Sequence, residues 1–151
     1  MAAEMSIPDN SATTILVVDD VEEILDGTEK LLQADGYHVE PARSELRAVE
    51  SAQRKSPQLI LMNLEGAPED VICAALRIRE HAKLDTRVPV VLLCDHGVAE
   101  GAEVGVGDNV YVTRPDNFNQ LRALICRLLQ LPSASAARRV RAISSSDRTR
   151  L

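Results

Sequence analysis

Hydrophobic residues occur along this chain in two patterns that alternate with each other. Continuous apolar runs occupy residues 14–18, 59–63 and 88–94. Runs of this length are typical of strands that are buried on both faces of a parallel sheet. Shorter segments at residues 37–40 and 109–112 read as further strands, and we expect these two at the sheet edges.

Between the runs, apolar residues recur at helical spacing. The first predicted helix starts with Glu22 and Glu23, where the helix dipole favours acids, and stops at Gly36. Three more helices are predicted over residues 45–55, 69–81 and 117–130. Ser44 is the expected N-cap of the second predicted helix, and Asn117 or Asp116 is the expected N-cap of the last.

The segment from residue 95 to 108 has the weakest pattern. It contains Gly97, Gly101, Gly105 and Gly107, and each glycine inside a helix costs roughly 0.5–1 kcal/mol relative to alanine. We expect a short or frayed helix here, or a mobile loop.

Strands and helices thus alternate five times, which predicts an α/β fold. Short, right-handed connections give a flavodoxin-like, doubly wound sheet of five parallel strands in the order 2-1-3-4-5. Residues 13–131 form the predicted domain, residues 1–12 a flexible N-terminus and residues 132–151 a disordered basic tail. Ligands of such sheets bind beyond the carboxyl ends of the strands, where Asp19, Asp20 and Asn63 lie.

Charge is unevenly distributed between the predicted domain and the tail. Five arginines and one aspartate give residues 131–151 a net charge of +4, so residues 1–130 carry −10 of the total of −6. An acidic domain argues against nucleic-acid binding by the globular part. The basic tail could contact an anionic partner, although a solvated, disordered end is the interpretation we favour.

The remaining composition limits the location of the protein. Three cysteines (Cys73, Cys94 and Cys126) at scattered apolar positions fit buried, reduced thiols in the cytoplasm better than a disulfide framework. No apolar run approaches the ~20 residues of a membrane span, and the N-terminus has no signal-peptide pattern. We therefore expect a cytoplasmic protein that does not contact a membrane.

At this point the pattern over about residues 13–130 resembles the receiver domain of two-component response regulators. The resemblance implies that Asp19 and Asp20 correspond to the family's Mg²⁺-binding acids and Asn63 to its phosphoacceptor aspartate. It also implies that Cys94 corresponds to the Thr/Ser that ends the family's fourth strand, and Tyr111 to the switch aromatic of its fifth strand. Arg114 corresponds to the lysine of the family's Lys-Pro pair. The bond between Arg114 and Pro115 is typically cis in the family.

The departures from the family pattern decide the predicted function. Asn63 has no carboxylate oxygen to phosphorylate, and the Cys94 thiol donates hydrogen bonds more weakly than a hydroxyl. The next residue, usually small in the family, is Asp95, and arginine replaces lysine at Arg114. We therefore predict a degenerate pseudo-receiver that is not an enzyme and that signals by phosphorylation-independent contact with a protein partner of a two-component pathway, or as a homodimer.

Several alternatives stay open. Asp19 and Asp20 could bind Mg²⁺, although the loss of a third carboxylate should weaken that site. Arg114 is expected to form an ion pair with one of these two aspartates and so to replace the metal. Phosphorylation of a neighbouring acid, Asp20 or Glu65, is a second alternative.

A small-ligand-binding flavodoxin-like domain is the third alternative, although the acidic loop after the first strand repels phosphate. We otherwise expect no resident cofactor. For Asn63 the simpler interpretation is a residue that satisfies loop backbone groups, and for Cys94 it is a small buried side chain. Tyr111 reads either as a rotamer switch or as an ordinary edge-strand tyrosine. We expect it on a partner-binding face formed by residues 97–107, the strand at 109–112 and the helix at 117–130.

Overall fold

The computed structural model describes residues 13–95 and 97–130. Its strands are β1 (Thr14–Asp19), β2 (His38–Ala42), β3 (Leu59–Asn63), β4 (Val90–Leu93), β5 (Glu103–Gly105) and β6 (Val110–Thr113). Its helices are α1 (Glu22–Ala34), α2 (Glu45–Arg54), α3 (Pro68–His81) and α4 (Phe118–Leu129). The N-terminus predicted to be flexible and the predicted basic tail lie outside the described residues.

The sheet confirms the predicted fold class. Five parallel strands lie in the order β2-β1-β3-β4-β6, which is the predicted 2-1-3-4-5 order when the strands are counted along the chain without β5. The strand count was too low, because β5 adds a sixth strand that pairs antiparallel with β6. β6 is therefore not the sheet edge that the sequence predicted.

The sheet divides the hydrophobic core into two layers. Alternate residues of β1 and β3 point to opposite faces, as the two-residue period of a strand requires. Leu16 and Ile60 pack with the α2 and α3 side, whereas Ile15 and Leu61 pack with the α1 and α4 side. No more than 1 % of the surface of any of these four residues is exposed. Because both faces of the central strands are buried, their sequences are continuous apolar runs.

Polar side chains fix the starts of two helices. The Ser44 hydroxyl accepts a hydrogen bond from the Arg47 amide at 3.2 Å, and Asn117 Oδ1 accepts one from the Gln120 amide at 3.0 Å. Both caps satisfy amides that have no partner inside their helix. Of the two cap residues considered for the last helix, Asn117 is the one used.

Within the segment from residue 95 to 108, Glu103–Gly105 form β5, the first strand of a β-hairpin, where a short helix or a loop was expected. β5 leads through Gly107, Asp108 and Asn109, all with positive φ, into β6. The Val106 amide donates to the Val110 carbonyl at 2.9 Å and the Val110 amide to the Gly107 carbonyl at 3.0 Å. Glycine and Asn/Asp tolerate this left-handed backbone better than other residues do.

The parallel strands give the sheet two distinct ends. β1 and β3 both finish at the carboxyl edge, with Asp19 opposite Asn63. Thr13 precedes β1 at the other edge, and α4 runs back from the end of β6 toward that same edge. Within the described part of the chain, no helix is long and apolar enough to cross a membrane.

Candidate functional site

The register of β1 and β3 brings two polar side chains together at the carboxyl edge of the sheet. Asn63 lies beside Asp19 in the parallel pairing, and its Nδ2 donates a hydrogen bond to Asp19 Oδ2 at 3.0 Å. The other carboxylate oxygen of Asp19 accepts from the Val21 amide at 2.9 Å. The side chain of Asp19 is therefore buried with both oxygens occupied.

A cleft of about 450 Å³ opens at this edge, between the loops that follow β1, β3 and β4. Its rim carries the exposed acids Asp20, Glu65 and Asp95. Asn63 and Cys94 also line the cleft, so the structure brings four of the predicted residues (Asp19, Asp20, Asn63 and Cys94) to one place, with Asp19 just beneath the surface.

An apolar floor, which the sequence analysis did not identify, lies beneath the acidic rim. It is formed by Val71 of α3, Leu92 of β4 and Val112 of β6, all buried. The signal was the alternation of strand residues, since every second residue of β4 and β6 faces α3. The cleft thus combines an apolar base with negative charge at its mouth.

Cys94 follows β4 and is held by the neighbouring strand. Its amide donates to the Thr113 carbonyl at 3.0 Å. The prediction of buried cysteines is wrong, since Cys94 and Cys126 are half-buried and Cys73 is exposed. Thr113 itself is buried, and its hydroxyl donates to the Ala102 carbonyl at 3.0 Å. This hydroxyl therefore serves the β5–β6 hairpin and not the cleft.

Arg114 does not form the predicted ion pair. Its Nη1 donates to the Val98 carbonyl at 3.5 Å, and no ion pair within 4.0 Å joins it to Asp19 or Asp20, all three being described residues. Asp19 instead accepts a hydrogen bond from the side-chain amide of Asn63, where the guanidinium of Arg114 had been predicted. The bond to Pro115 is trans, unlike the cis bond that the resemblance implies.

Tyr111 lies apart from the cleft. Its ring packs with the core layer on the α1 and α4 side, and its hydroxyl donates to Asn109 Oδ1 at 2.9 Å. A Cβ atom on Gly105 would lie 3.7 Å from Tyr111 Cε2, so the ring covers the glycine of β5. The tyrosine is therefore part of the hairpin, on the side opposite the apolar floor.

The residues present fit a divalent metal poorly. Mg²⁺ requires near-octahedral oxygen ligands, whereas Asp19 already accepts two hydrogen bonds and Asn63 presents its NH₂ group to it. Among the described residues, no group of three or more His, Cys, Asp or Glu side chains could hold a metal ion. Asp20 remains as an exposed carboxylate at the rim.

Comparison with known proteins places this architecture in a family. The family model for the response regulator receiver domain matches residues 15–126. The chain is 28% identical over 115 residues to the transcriptional regulatory protein KdpE of Staphylococcus aureus (strain NCTC 8325 / PS 47), covering 74% of this chain and 47% of that protein. It is 29% identical over 131 residues to the transcriptional regulatory protein PrrA of Mycobacterium leprae (strain TN), covering 83% of this chain and 54% of that protein.

A solved structure agrees with these matches. The receiver domain of the sensor histidine kinase PA1611 from Pseudomonas aeruginosa PAO1, crystallised with a magnesium ion in its active site cleft, superposes with a TM-score of 0.61 at 25% identity. The match covers 80% of this chain and 100% of that one. By contrast, the chain spans only about half the length of the two curated relatives above.

Proposed function

Because this chain belongs to the response regulator receiver domain family, we propose that it transmits a signal by binding a protein, without phosphorylation of an aspartate. The observation that carries the proposal is the residue at the end of β3. Asn63 occupies the position at which the family resemblance places the phosphoacceptor, and its amide donates to Asp19.

The chemistry of this position supports the proposal. Transfer of a phosphoryl group to a receiver forms a bond to a carboxylate oxygen, and an amide offers no equivalent nucleophile. Binding of the incoming phosphate is also opposed, because Asp20, Glu65 and Asp95 surround the cleft with negative charge. Arg114, which could offset that charge, reaches the Val98 carbonyl instead.

The proposed partner is a protein of a two-component pathway or a second copy of this chain. The acidic residues 1–130 disfavour nucleic acid as a ligand of the domain. Signal transmission then depends on surface contacts, so we infer a non-enzymatic role. The exposed apolar residues Val104 and Val106 lie on the hairpin next to the cleft and belong to the surface that we expect a partner to use.

Intact-mass measurement tests the proposal. The full chain is incubated with a small phosphodonor such as acetyl phosphate and Mg²⁺, together with a phosphorylatable receiver domain that shows the donor to be active. We expect the control receiver to gain one phosphoryl group and this chain to gain none.

The variant Asn63→Asp is the matched comparison, since it restores a carboxylate at the end of β3 and changes no other group. A phosphoryl group on the unmodified chain that hydroxylamine removes would show that Asp20, Glu65 or another acid accepts phosphate, and the proposal would be wrong. Uptake by Asn63→Asp alone would assign the loss of phosphorylation to this single residue.

A further inference from the structure

The outer strand of the hairpin has backbone groups that point away from the sheet. The Arg114 amide donates to the Ala102 carbonyl at 3.1 Å, and the Val106 amide donates to the Val110 carbonyl at 2.9 Å. Val104 lies opposite Val112 midway between these pairs. In an antiparallel ladder, alternate residues exchange hydrogen bonds with the partner strand. The backbone N–H and C=O groups of residues 102, 104 and 106 therefore point toward β6.

The intervening residues, Glu103 and Gly105, therefore direct their N–H and C=O groups outward. Among the described residues, neither backbone forms a hydrogen bond outside the β5–β6 ladder. β5 is the terminal strand of the sheet, so these groups form an open edge. An open edge of this kind is able to pair with another strand.

The opposite edge of the sheet, β2, has features that prevent pairing with another strand. β2 contains Pro41, which has no N–H, and it carries His38 and Glu40, which contact each other. Proline and charged side chains are the usual means by which edge strands avoid pairing. β5 contains no proline, and its one charged residue, Glu103, contacts Arg127 of α4. The apolar side chains of Val104, and of Val106 just after the strand, are 46% and 43% exposed.

We propose that β5 pairs with β5 of a second copy of this chain, antiparallel and related by a two-fold axis through Val104. In this register Glu103 of each copy lies opposite Gly105 of the other. Each such pair exchanges two hydrogen bonds, so four outward groups on each copy are satisfied. This inference rests on the proposed function, because it names the protein partner as a second copy.

The side chains are compatible with this register on both faces. On one face, Val104 meets Val104 of the second copy in a non-hydrogen-bonded pair, where opposing side chains approach most closely, and Val106 lies opposite Ala102. On the other face, Glu103 lies opposite Gly105 of the second copy, a position where a small side chain is also accommodated. Arg127 contacts Glu103 within the same copy, which offsets the negative charge that would otherwise be repeated across the axis.

The contact is small, and this sets the expected behaviour. A strand of three residues buries much less than the roughly 1,600 Å² of a standard stable interface. We therefore expect weak, concentration-dependent association, in which the two sheets join into one continuous sheet.

Sedimentation velocity of the full chain over a range of concentrations measures this association. The variant Gly105→Pro removes one outward N–H per copy, and it spares the β6 ladder because residue 105 does not bond to β6. We expect its dissociation constant to rise at least roughly tenfold, which corresponds to about 1.4 kcal/mol. Gly105→Ala is the matched control, since it keeps the N–H and its Cβ makes only an ordinary contact with Tyr111 at 3.7 Å.

Hydrogen exchange of the unmodified chain gives a second test that needs no variant. The amides of Glu103 and Gly105 should exchange quickly in dilute solution and slowly at high concentration, whereas the Val104 amide should be protected in both. A monomer at every concentration, or association that Gly105→Pro leaves unchanged, would overturn the proposal. These results are independent of phosphoryl uptake, so failure of the dimer and failure of the proposed function can be told apart.

Discussion

At the scale of single residues, the amide of Asn63 determines how the buried Asp19 is satisfied. A second carboxylate at this position would repel the first unless a cation lay between them. The amide instead donates a hydrogen bond at 3.0 Å, and the Val21 amide occupies the remaining oxygen. Each carboxylate oxygen of Asp19 thus accepts a hydrogen bond from within the domain.

The variant Asn63→Asp should reverse this arrangement. We expect its Mg²⁺ affinity to exceed that of the unmodified chain by at least about tenfold, because two adjacent carboxylates form a better site for a hard cation. Thermal unfolding with and without Mg²⁺ measures the difference, since a ligand of the folded state raises its Tm. Equal Mg²⁺ responses of the two chains would contradict the account of Asp19 given above.

Arg79 is a second residue whose role is visible only in the structure. It is 4% exposed, and its guanidinium donates to the Val88 carbonyl at 3.0 Å and to the Asp108 carbonyl. Burial lowers the pKa of Arg79, while the nearby Asp108 and Asp85 oppose this shift. The side chain thereby fastens the hairpin turn to α3 and to the chain entering β4.

Replacing Arg79 by methionine keeps most of the apolar stem and removes both hydrogen bonds. We expect Arg79→Met to lower the free energy of unfolding by about 2–4 kcal/mol, because two carbonyls lose a charged donor. Urea denaturation measures the loss. Arg77→Met is the control on the exposed side of the same helix, where a much smaller loss is expected because solvent screens its ion pair. Equal losses for the two variants would show that burial of Arg79 is unimportant.

At the scale of elements, an ion pair joins α2 to α3. Arg77 donates two hydrogen bonds to the carboxylate of Glu45, at 2.7 and 2.8 Å, and these hold the pKa of Glu45 below its ordinary value of 4.5. A carboxyl whose pKa is lowered by folding stabilises the protein above its unfolded pKa. That contribution is lost as the pH falls below 4.5 through the lowered value.

The variant Glu45→Gln should therefore be less stable at neutral pH by about 0.5 kcal/mol, since the carboxylate is 31% exposed and solvent screens the pair. Below pH 4.5 its deficit should shrink, because the unmodified chain is losing the same contribution. Urea midpoints measured from neutral to acidic pH give this comparison. Glu50→Gln, which removes a more exposed pair within α2, is the control and should destabilise the domain less at neutral pH. A deficit for Glu45→Gln that stays constant with pH would contradict the assignment.

The elements show what the sequence can and cannot predict. The buried strands and the helices with clear apolar stripes were found because their periodicities differ. The hairpin was missed because the four glycines of residues 95–108 weaken any pattern there, although Val104 and Val106 alternate with Glu103 and Gly105 ahead of the Gly107 turn. That arrangement is a hairpin signal, but glycine was read only as a helix breaker.

The candidate site was predictable to a similar extent. Strand ends placed Asp19, Asp20, Asn63 and Cys94 together, because the carboxyl ends of parallel strands share one edge. The direction of a long side chain was not predictable in the same way. Arg114 was expected at the aspartates, but it reaches the Val98 carbonyl, because its direction depends on a loop that the sequence analysis could not build.

At the scale of the whole molecule, both core layers pack on one sheet. Ile78 of α3 belongs to one layer and Ile125 of α4 to the other, and both are completely buried. Both layers pack against the same strands, so disruption of one layer should also destabilise the other. We therefore expect a single cooperative unfolding transition for the domain.

Ile78→Ala and Ile125→Ala test this cooperativity. Each should lower the free energy of unfolding by about 2–5 kcal/mol, and the two effects should add in the double variant because the residues lie on opposite faces. Tyr37 and Tyr111 both report on the α1 and α4 layer, while circular dichroism reports on all helices. If Ile78→Ala shifts the dichroism transition and leaves the tyrosine fluorescence transition in place, the layers unfold separately.

The position of Thr13 and Gln130 has a practical consequence. Both lie toward the amino edge of the sheet, across the strands from the cleft. A biosensor surface, fluorophore or carrier protein joined directly at either of these two positions would thus be attached on the far side of the domain. Immobilised protein should keep the acidic cleft accessible to a candidate partner in the flow, so capture experiments can be run without altering the residues under study.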